Sequence, residues 1–361
     1  MTQHTLNTAM PVLNLTSNSE RMFFGESGHG ISRYDIVRYP IFTKLDKQMK
    51  SFFWQPHEID MSQEKRSYES LTHSEKFVFT SNLKRQILLD SVQGRAPGLA
   101  FLPFCTDSTL ENCILTWGFF EGIHSESYTH ILRAIYPDPS SIIEDIPNIQ
   151  EIADCAHDIT QAYDQLRVNP NMDNLYLALI AANALEAIRF YVSFACTFSF
   201  LERGLVEGSA KIIKMIARDE NVHLSLTQHI IKNLLKDDPM YEKVIARNQE
   251  KARQIFLSAG AQEKQWAKFL FKNGPILGLS EDILCQYVDY ITIRRMKAIG
   301  LTSDISYKGN NPIPWIDKHL TSNNTQVAPQ EVELSSYVVS SITNDMETAD
   351  LEKEWNQKID I

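Results

Sequence analysis

Residues 108–136 read STLENCILTWGFFEGIHSESYTHILRAIY. Leu110, Ile114, Trp117, Glu121, His124, Tyr128, Ile131 and Ile135 recur at steps of three or four, so they share one face of a long helix. Ser108 followed by Glu111 has the form of a capping box for its start, and Pro137 marks its end. That face is apolar except in its middle, where a carboxylate, an imidazole and a phenol lie one above another. Burying ionisable groups is costly unless they are paired or metal-bound. The rest of the chain must supply what receives Glu121, His124 and Tyr128.

A second segment has the same pattern. Glu121-Gly-Ile-His124 is matched by Glu220-Asn-Val-His223, on a helix expected over Ser209–Lys236 with Ile213, Ile216, Thr227 and Ile231 on its inner face. A step of three residues turns about 300°, so each Glu points the same way as its His and both can bind one metal. Two further acids interrupt apolar helix faces. Asp90 shares a stripe with Phe79, Leu83 and Ile87 on a helix opened by the Thr72–Glu75 capping box and running to about Arg95. Glu186 interrupts LALIAANALEAIRFYVSFACTFSF, within a helix expected to run from Met172 to Arg203 and to be closed by Gly204. Because that helix is apolar nearly all round, it belongs in the centre of a bundle. Two ExxH pairs and one acid from each of two other helices form the dinuclear carboxylate site of ferritin-like bundles. The fold class expected is therefore all-α, a ferritin-like helical bundle with a buried dinuclear metal site. Carboxylate oxygens with one imidazole per metal suit iron or manganese better than zinc or copper.

Other residues bear on the site. Asp219 is either the acid that orients a ligand histidine through its second nitrogen or a partner for Arg218 or a neighbouring helix. Tyr128 lies one turn beyond His124, about 6 Å along the axis. It is either a core tyrosine with a satisfied hydroxyl or a phenol that an oxidising metal pair can convert to a radical. Phe190, Phe194 and Ile216 lie on inner faces near this level, where they pack the core and would shield such a radical.

The remaining sequence narrows the class. A chain of 361 residues, 43% hydrophobic and 22% charged, has ample material for a large core and shows no internal linker. A net charge of -10 argues against a nucleic-acid surface. No secretory signal is visible, and the longest uncharged apolar runs, Asn174–Leu185 and Phe190–Leu201, are too short to span a bilayer. Five cysteines without a CxxC pair fit reduced thiols in the cytoplasm. A short helix over Phe42–Phe53 leads into an exposed-looking turn at Trp54-Gln-Pro. Helices are also expected over Ile149–Arg167, Tyr241–Lys272 and Glu281–Ile299. Residues 331–361 carry eight Asp/Glu against two Lys and lack periodicity. The expected division is a flexible segment 1–20, a ferritin-like helical domain 21–320 and a flexible acidic tail 321–361.

Beyond these patterns the chain resembles the small (beta) subunit of class I ribonucleotide reductases of the bacterial aerobic type. The likeness runs from Met22-Phe-Phe-Gly to the tail and is densest in SFFWQPHEID, EKFVFTSNLKRQILLDSVQGRAP, GIHSESYTHILR, NALEAIRFYVSFACTF, MIARDENVHL, DILCQYVDYITIRRM, NPIPWI and QVAPQEVELSSY. The resemblance implies that Asp90, Glu121, His124, Glu186, Glu220 and His223 bind two iron ions per chain, with manganese an alternative used by some relatives. It implies that Tyr128 becomes a stable radical through O2 activation. It implies that Trp54, linked through Asp219 toward His124, passes electrons and begins the radical route, and that Tyr337 is a mobile relay. The expected activity is that of a ribonucleoside-diphosphate reductase beta subunit, an oxidoreductase that makes DNA precursors only with its large alpha subunit and is itself a homodimer. The ending EKEWNQKIDI departs from the short apolar motif that often closes the family's tail. Neither nucleic acid nor membrane is an expected partner.

Overall fold

Helices form the regular structure of the computed structural model, which describes residues 12–16, 21–25 and 28–320. Most of segment 1–20 and all of the tail 321–361, with Tyr337, lie outside the described residues. In chain order the helices are α1 (Pro40–Ser51), α2 (Glu64–Glu69), α3 (His73–Gln93), α4 (Ser108–Ile135), α5 (Ser140–Glu144) and α6 (Gln150–Val168). They continue with α7 (Met172–Ala184), α8 (Tyr191–Leu201), α9 (Glu207–Asp237), α10 (Tyr241–Leu270), α11 (Glu281–Ala298) and α12 (Asp317–Leu320). Among the described residues, β pairing is confined to the isolated bridges Phe23–Cys105 and Ile276–Leu279, which bears out the all-α expectation.

Local signals set several of these boundaries. The capping box of α3 is present: Thr72 Oγ1 accepts from Glu75 N at 3.3 Å, and Glu75 Oε2 accepts from Thr72 N at 2.8 Å. Gly204, beyond α8, takes a φ of 68°, the left-handed conformation that glycine adopts without a Cβ penalty. At the start of α4 the structure corrects the sequence reading. The N-cap is Asp107, whose Oδ1 accepts from Thr109 N at 3.0 Å and from Leu110 N at 2.9 Å. Ser108 is the first helical residue, and its hydroxyl accepts from Arg33 N at 2.9 Å. A carboxylate one residue upstream satisfies two orphan donors and its charge meets the positive end of the helix dipole, which a neutral hydroxyl does not offer.

A second correction concerns the central helix. Its expected continuous run is broken into α7 and α8 by a π-helical turn at Leu185–Arg189, which holds Glu186. A segment that is apolar on every side has no stripe in which a one-residue slip could show. Met172–Leu201 is long and apolar enough, by length and composition, to cross a membrane, but 94% of its most apolar window is buried inside the protein. α7 packs against α6, α9 and α10, so this apolar segment is the axis of the bundle.

Truncating the observed cap should decide between the two residues. Asp107→Ala should cost about 1 kcal/mol of stability in urea unfolding, in the range for lost N-caps. Ser108→Ala should cost clearly less. Equal losses would contradict the assignment of Asp107.

Candidate metal centre

Four parts of the bundle each deliver a polar group to one buried place. α3 brings Asp90, α4 brings Glu121 and His124, the π turn brings Glu186, and α9 brings Glu220 and His223. All six are at most 1% exposed. They form two overlapping groups whose ligand-type atoms lie within 4.8 Å of one another: Asp90, Glu121, His124 and Glu220, then Glu121, Glu186, Glu220 and His223. Glu121 and Glu220 belong to both. His124 Nδ1 is 3.4 Å from Glu121 Oε2 and 3.1 Å from Glu220 Oε1, while His223 Nδ1 is 3.1 Å from Glu121 Oε1 and 3.1 Å from Glu220 Oε2.

Whether this set fits a metal pair can be judged from its unsatisfied atoms. Both Asp90 oxygens, Glu121 Oε2, His124 Nδ1, Glu186 Oε2 and Glu220 Oε1 are buried without a hydrogen bond. Buried polar atoms are normally bonded, so a convergent group of orphans points to a missing partner. Four carboxylates around two imidazoles call for cations with a preference for hard ligands. The set fits a dinuclear metal site.

Surrounding groups hold Glu121 and Glu186 by one oxygen each and leave the other free. Trp117 Nε1 donates to Glu121 Oε1 at 2.8 Å, and Gln93 Nε2 donates to Glu186 Oε1. Tyr163 in turn donates to Gln93 Oε1 at 2.9 Å. Trp117 was legible as part of the inner face but not as a donor. Gln93 lies three residues after Asp90 on the same helix, a spacing that could have indicated it. Tyr163 belongs to an ordinary apolar stripe of α6 and carried no such signal.

Asp219 contacts both His124 and Arg218, through different oxygens. Its Oδ2 lies 3.2 Å from His124 Nε2, and its Oδ1 accepts from Arg218 Nε at 3.1 Å. Trp54 Nε1 donates to the same Oδ2 at 2.8 Å, and its ring stacks 6.4 Å from that of His124. The turn at Trp54 is thus not exposed: the indole is 1% accessible, because its polar edge has a buried acceptor 165 residues away. Tyr128 is fully buried, with the Asp90 carboxylate beside its hydroxyl. Phe190, Phe194 and Ile216 are also buried, with the two phenyl rings stacked at 5.7 Å.

Proton affinities follow from burial and crowding. Burial, reinforced by Glu121 and Glu220, pushes Asp90 well above the usual carboxylate range; burial and Glu220 do the same to Glu186. For Glu220 burial acts in the same upward direction, but the adjacent His124 and His223 imidazoles outweigh it and hold it below its ordinary value. Burial alone would lower His223, yet Glu121 and Glu220 raise it from 6.5 to about 9. The Tyr128 phenol is pushed well above 10 by burial and then by Asp90.

Comparison with known proteins gives a consistent result. A family model described as "Ribonucleotide reductase, small chain" matches residues 33–312. The chain is 48% identical over 360 residues to the ribonucleoside-diphosphate reductase subunit beta of Buchnera aphidicola subsp. Acyrthosiphon pisum (strain APS), covering 92% of this chain and 95% of that protein. It is 47% identical over 359 residues to the ribonucleoside-diphosphate reductase 1 subunit beta of Escherichia coli O157:H7, with the same two coverages. Among solved structures, the ribonucleotide reductase R2 subunit from Clostridium botulinum matches with a TM-score of 0.79 at 25% identity, covering 86% of this chain and 98% of that one.

Chelation should expose the linkage between protonation and stability. His223 binds its proton more tightly folded than unfolded, so its contribution is full below 6.5 and is lost as pH rises through about 9. The raised Asp90 and Glu186 act in the same direction at lower pH, losing stability as pH climbs above their ordinary range. Protein stripped of metal should therefore lose urea stability across the neutral-to-alkaline window. Metal-loaded protein should change little there. A flat profile after chelation would contradict the ion-paired arrangement.

Proposed function

The chain belongs to the ribonucleotide reductase small-chain family and has the radical-generating role of such a subunit in an oxidoreductase acting on ribonucleoside diphosphates, and we propose that it performs this role with a di-iron pair and a radical on Tyr128. The observation that carries the proposal is a fully buried phenol beside Asp90, one helical turn from His124 in a convergent six-residue cluster.

Asp90 and His124 would hold one ion and Glu186 and His223 the other, with Glu121 and Glu220 shared between them. When bound, the iron pair supplies the O2-dependent oxidation that removes a hydrogen atom from a phenol. The protein's own part is placement and exclusion. Burial of Tyr128 with Phe190, Phe194 and Ile216 in one apolar core keeps water and reductants from the phenoxyl oxygen. Asp219 fixes His124 through Nε2, leaving Nδ1 for a metal, and joins that imidazole to the Trp54 indole by a short polar line that is a route for electrons. Manganese in place of iron is the alternative that metal analysis decides.

Small chains of this family work with a large subunit, which here would bind the ribonucleotide and make deoxyribonucleotides for DNA synthesis. Tyr337 would relay the radical to it, and the acidic residues beyond would dock in a basic groove. In this reading the domain boundaries are 1–20, 21–320 and 321–361. Five free cysteines support a reducing, cytoplasmic setting. A homodimer is supported by the outward face of α4. Leu115 and Phe119 are 54% and 55% exposed there, Phe53 stacks on Phe119 at 6.0 Å, and a depression of about 370 Å³ opens among them. Gly118 and Gly122 have open space where a Cβ would stand, so a second copy of the helix could approach closely.

Aerobic reconstitution with iron should give about two metal ions per chain and a tyrosyl EPR signal. Tyr128→Phe should keep the metal and lose the signal, because it removes one hydroxyl and preserves the ring's packing. Glu186→Ala and His223→Ala should lose metal while keeping helicity. Tyr337→Phe should keep both signal and large-subunit binding yet abolish turnover, and deletion after Met346 should lose binding alone. A retained signal in Tyr128→Phe would move the radical elsewhere; wild-type turnover by Tyr337→Phe would remove the relay.

The face of α4 has its own test. Phe119→Asp should shift the protein from dimer to monomer in analytical ultracentrifugation. A wild type that sediments as a monomer would contradict the pairing.

A further inference from the structure

Tyr128, Trp117 and Tyr163 are oxidisable side chains buried in or near the ligand cluster, and each has a different partner. Tyr128 lies beside the Asp90 carboxylate, and the Trp117 indole donates to the Glu121 carboxylate. Tyr163, 3% exposed, donates to the side-chain oxygen of Gln93. The amide's orientation follows from its other contact. Gln93 donates through its NH2 to Glu186 Oε1, and its oxygen is the atom that meets Tyr163. Tyr163 must then be the donor. Its ring packs edge-on against Phe101 at 5.8 Å within the apolar core.

Oxidising a phenol at neutral pH removes an electron and a proton together. The electron would pass to the O2-oxidised metal pair; the proton needs a base within hydrogen-bond reach of the hydroxyl. A carboxylate can accept it, and an amide oxygen cannot. We propose that Gln93 is a specificity-determining residue: by giving Tyr163 an acceptor that is not a base, it keeps that phenol in its reduced form and leaves oxidation to Tyr128. Gln93 thus serves two ends through its two atoms. Its nitrogen holds Glu186 Oε1, leaving Oε2 for a metal, and its oxygen withholds a proton acceptor from the second phenol. The inference rests on the tyrosyl-radical reading above and concerns where the radical forms.

The test uses the full chain reconstituted aerobically with iron, with tyrosine ring-deuterated so that a phenoxyl signal is separable from an indole signal of Trp117. Tyr128→Phe should give no phenoxyl signal. Tyr128→Phe with Gln93→Glu should give a new phenoxyl signal, lost again when Tyr163→Phe is added. Gln93→His, which also supplies a base, should do the same and serves where Gln93→Glu disturbs metal binding. Metal content is measured in every variant. A phenoxyl signal from Tyr163 in Tyr128→Phe alone would overturn the inference. So would metal-replete Gln93→Glu and Gln93→His variants without a Tyr163 signal. Loss of metal in both replacements would also overturn it, since Gln93 would then serve Glu186 only. Absence of any tyrosyl signal in wild type would instead remove the radical reading, and this inference with it.

Discussion

Four carboxylates and two imidazoles share one buried place, and the bundle is arranged around the need to balance them. Each ion moved out of water costs several kcal/mol even after relaxation. No single helix could meet that cost, so α3, α4, the π turn and α9 must converge with their polar groups in contact. The two imidazoles sit between the shared carboxylates Glu121 and Glu220, and Asp90 and Glu186 retain their protons more tightly than exposed acids would. Helices held this way have little freedom to slide, since any displacement strands a charge. Packing of the apolar axis, α7 and α8, then follows around a fixed centre.

A surrounding set of donors refines that centre. Trp117, Gln93 and Asp219 each occupy one atom of a ligand side chain and leave the opposite atom free. The result is a cluster whose ligand atoms are held in place before any cation arrives. α4 also links site to surface. Its inner face carries Glu121, His124 and Tyr128, and its outer face carries Leu115 and Phe119. Covering that outer face with a second copy would stiffen the helix that holds one of the two Glu-His pairs.

Much of this was legible because helical periodicity is local. Glu121 with His124, and Glu220 with His223, face one way whatever the helices pack against, and the apolar residues around them declare burial. The same locality explains the misreadings. Ser108 and Asp107 both suit an N-cap; the carboxylate takes it, and the serine hydroxyl accepts instead from Arg33 N, 75 residues away. Trp54 next to a Gln-Pro turn looked exposed, because its acceptor Asp219 is distant in sequence.

The sequence by itself determined the all-α class, the six candidate ligands, and the position of Tyr128 one turn beyond His124. These follow from residue type and the fixed pitch of the helix, which need no knowledge of neighbours. Tertiary structure alone decided which carboxylate oxygens remain free, where the apolar axis takes its π turn, and that Gln93 stands between Glu186 and Tyr163. Those features depend on donors and acceptors from different helices meeting at hydrogen-bond distance. Gln93 and Glu186 are 93 residues apart, and Gln93 and Tyr163 are 70 apart, so no local pattern could bring them together.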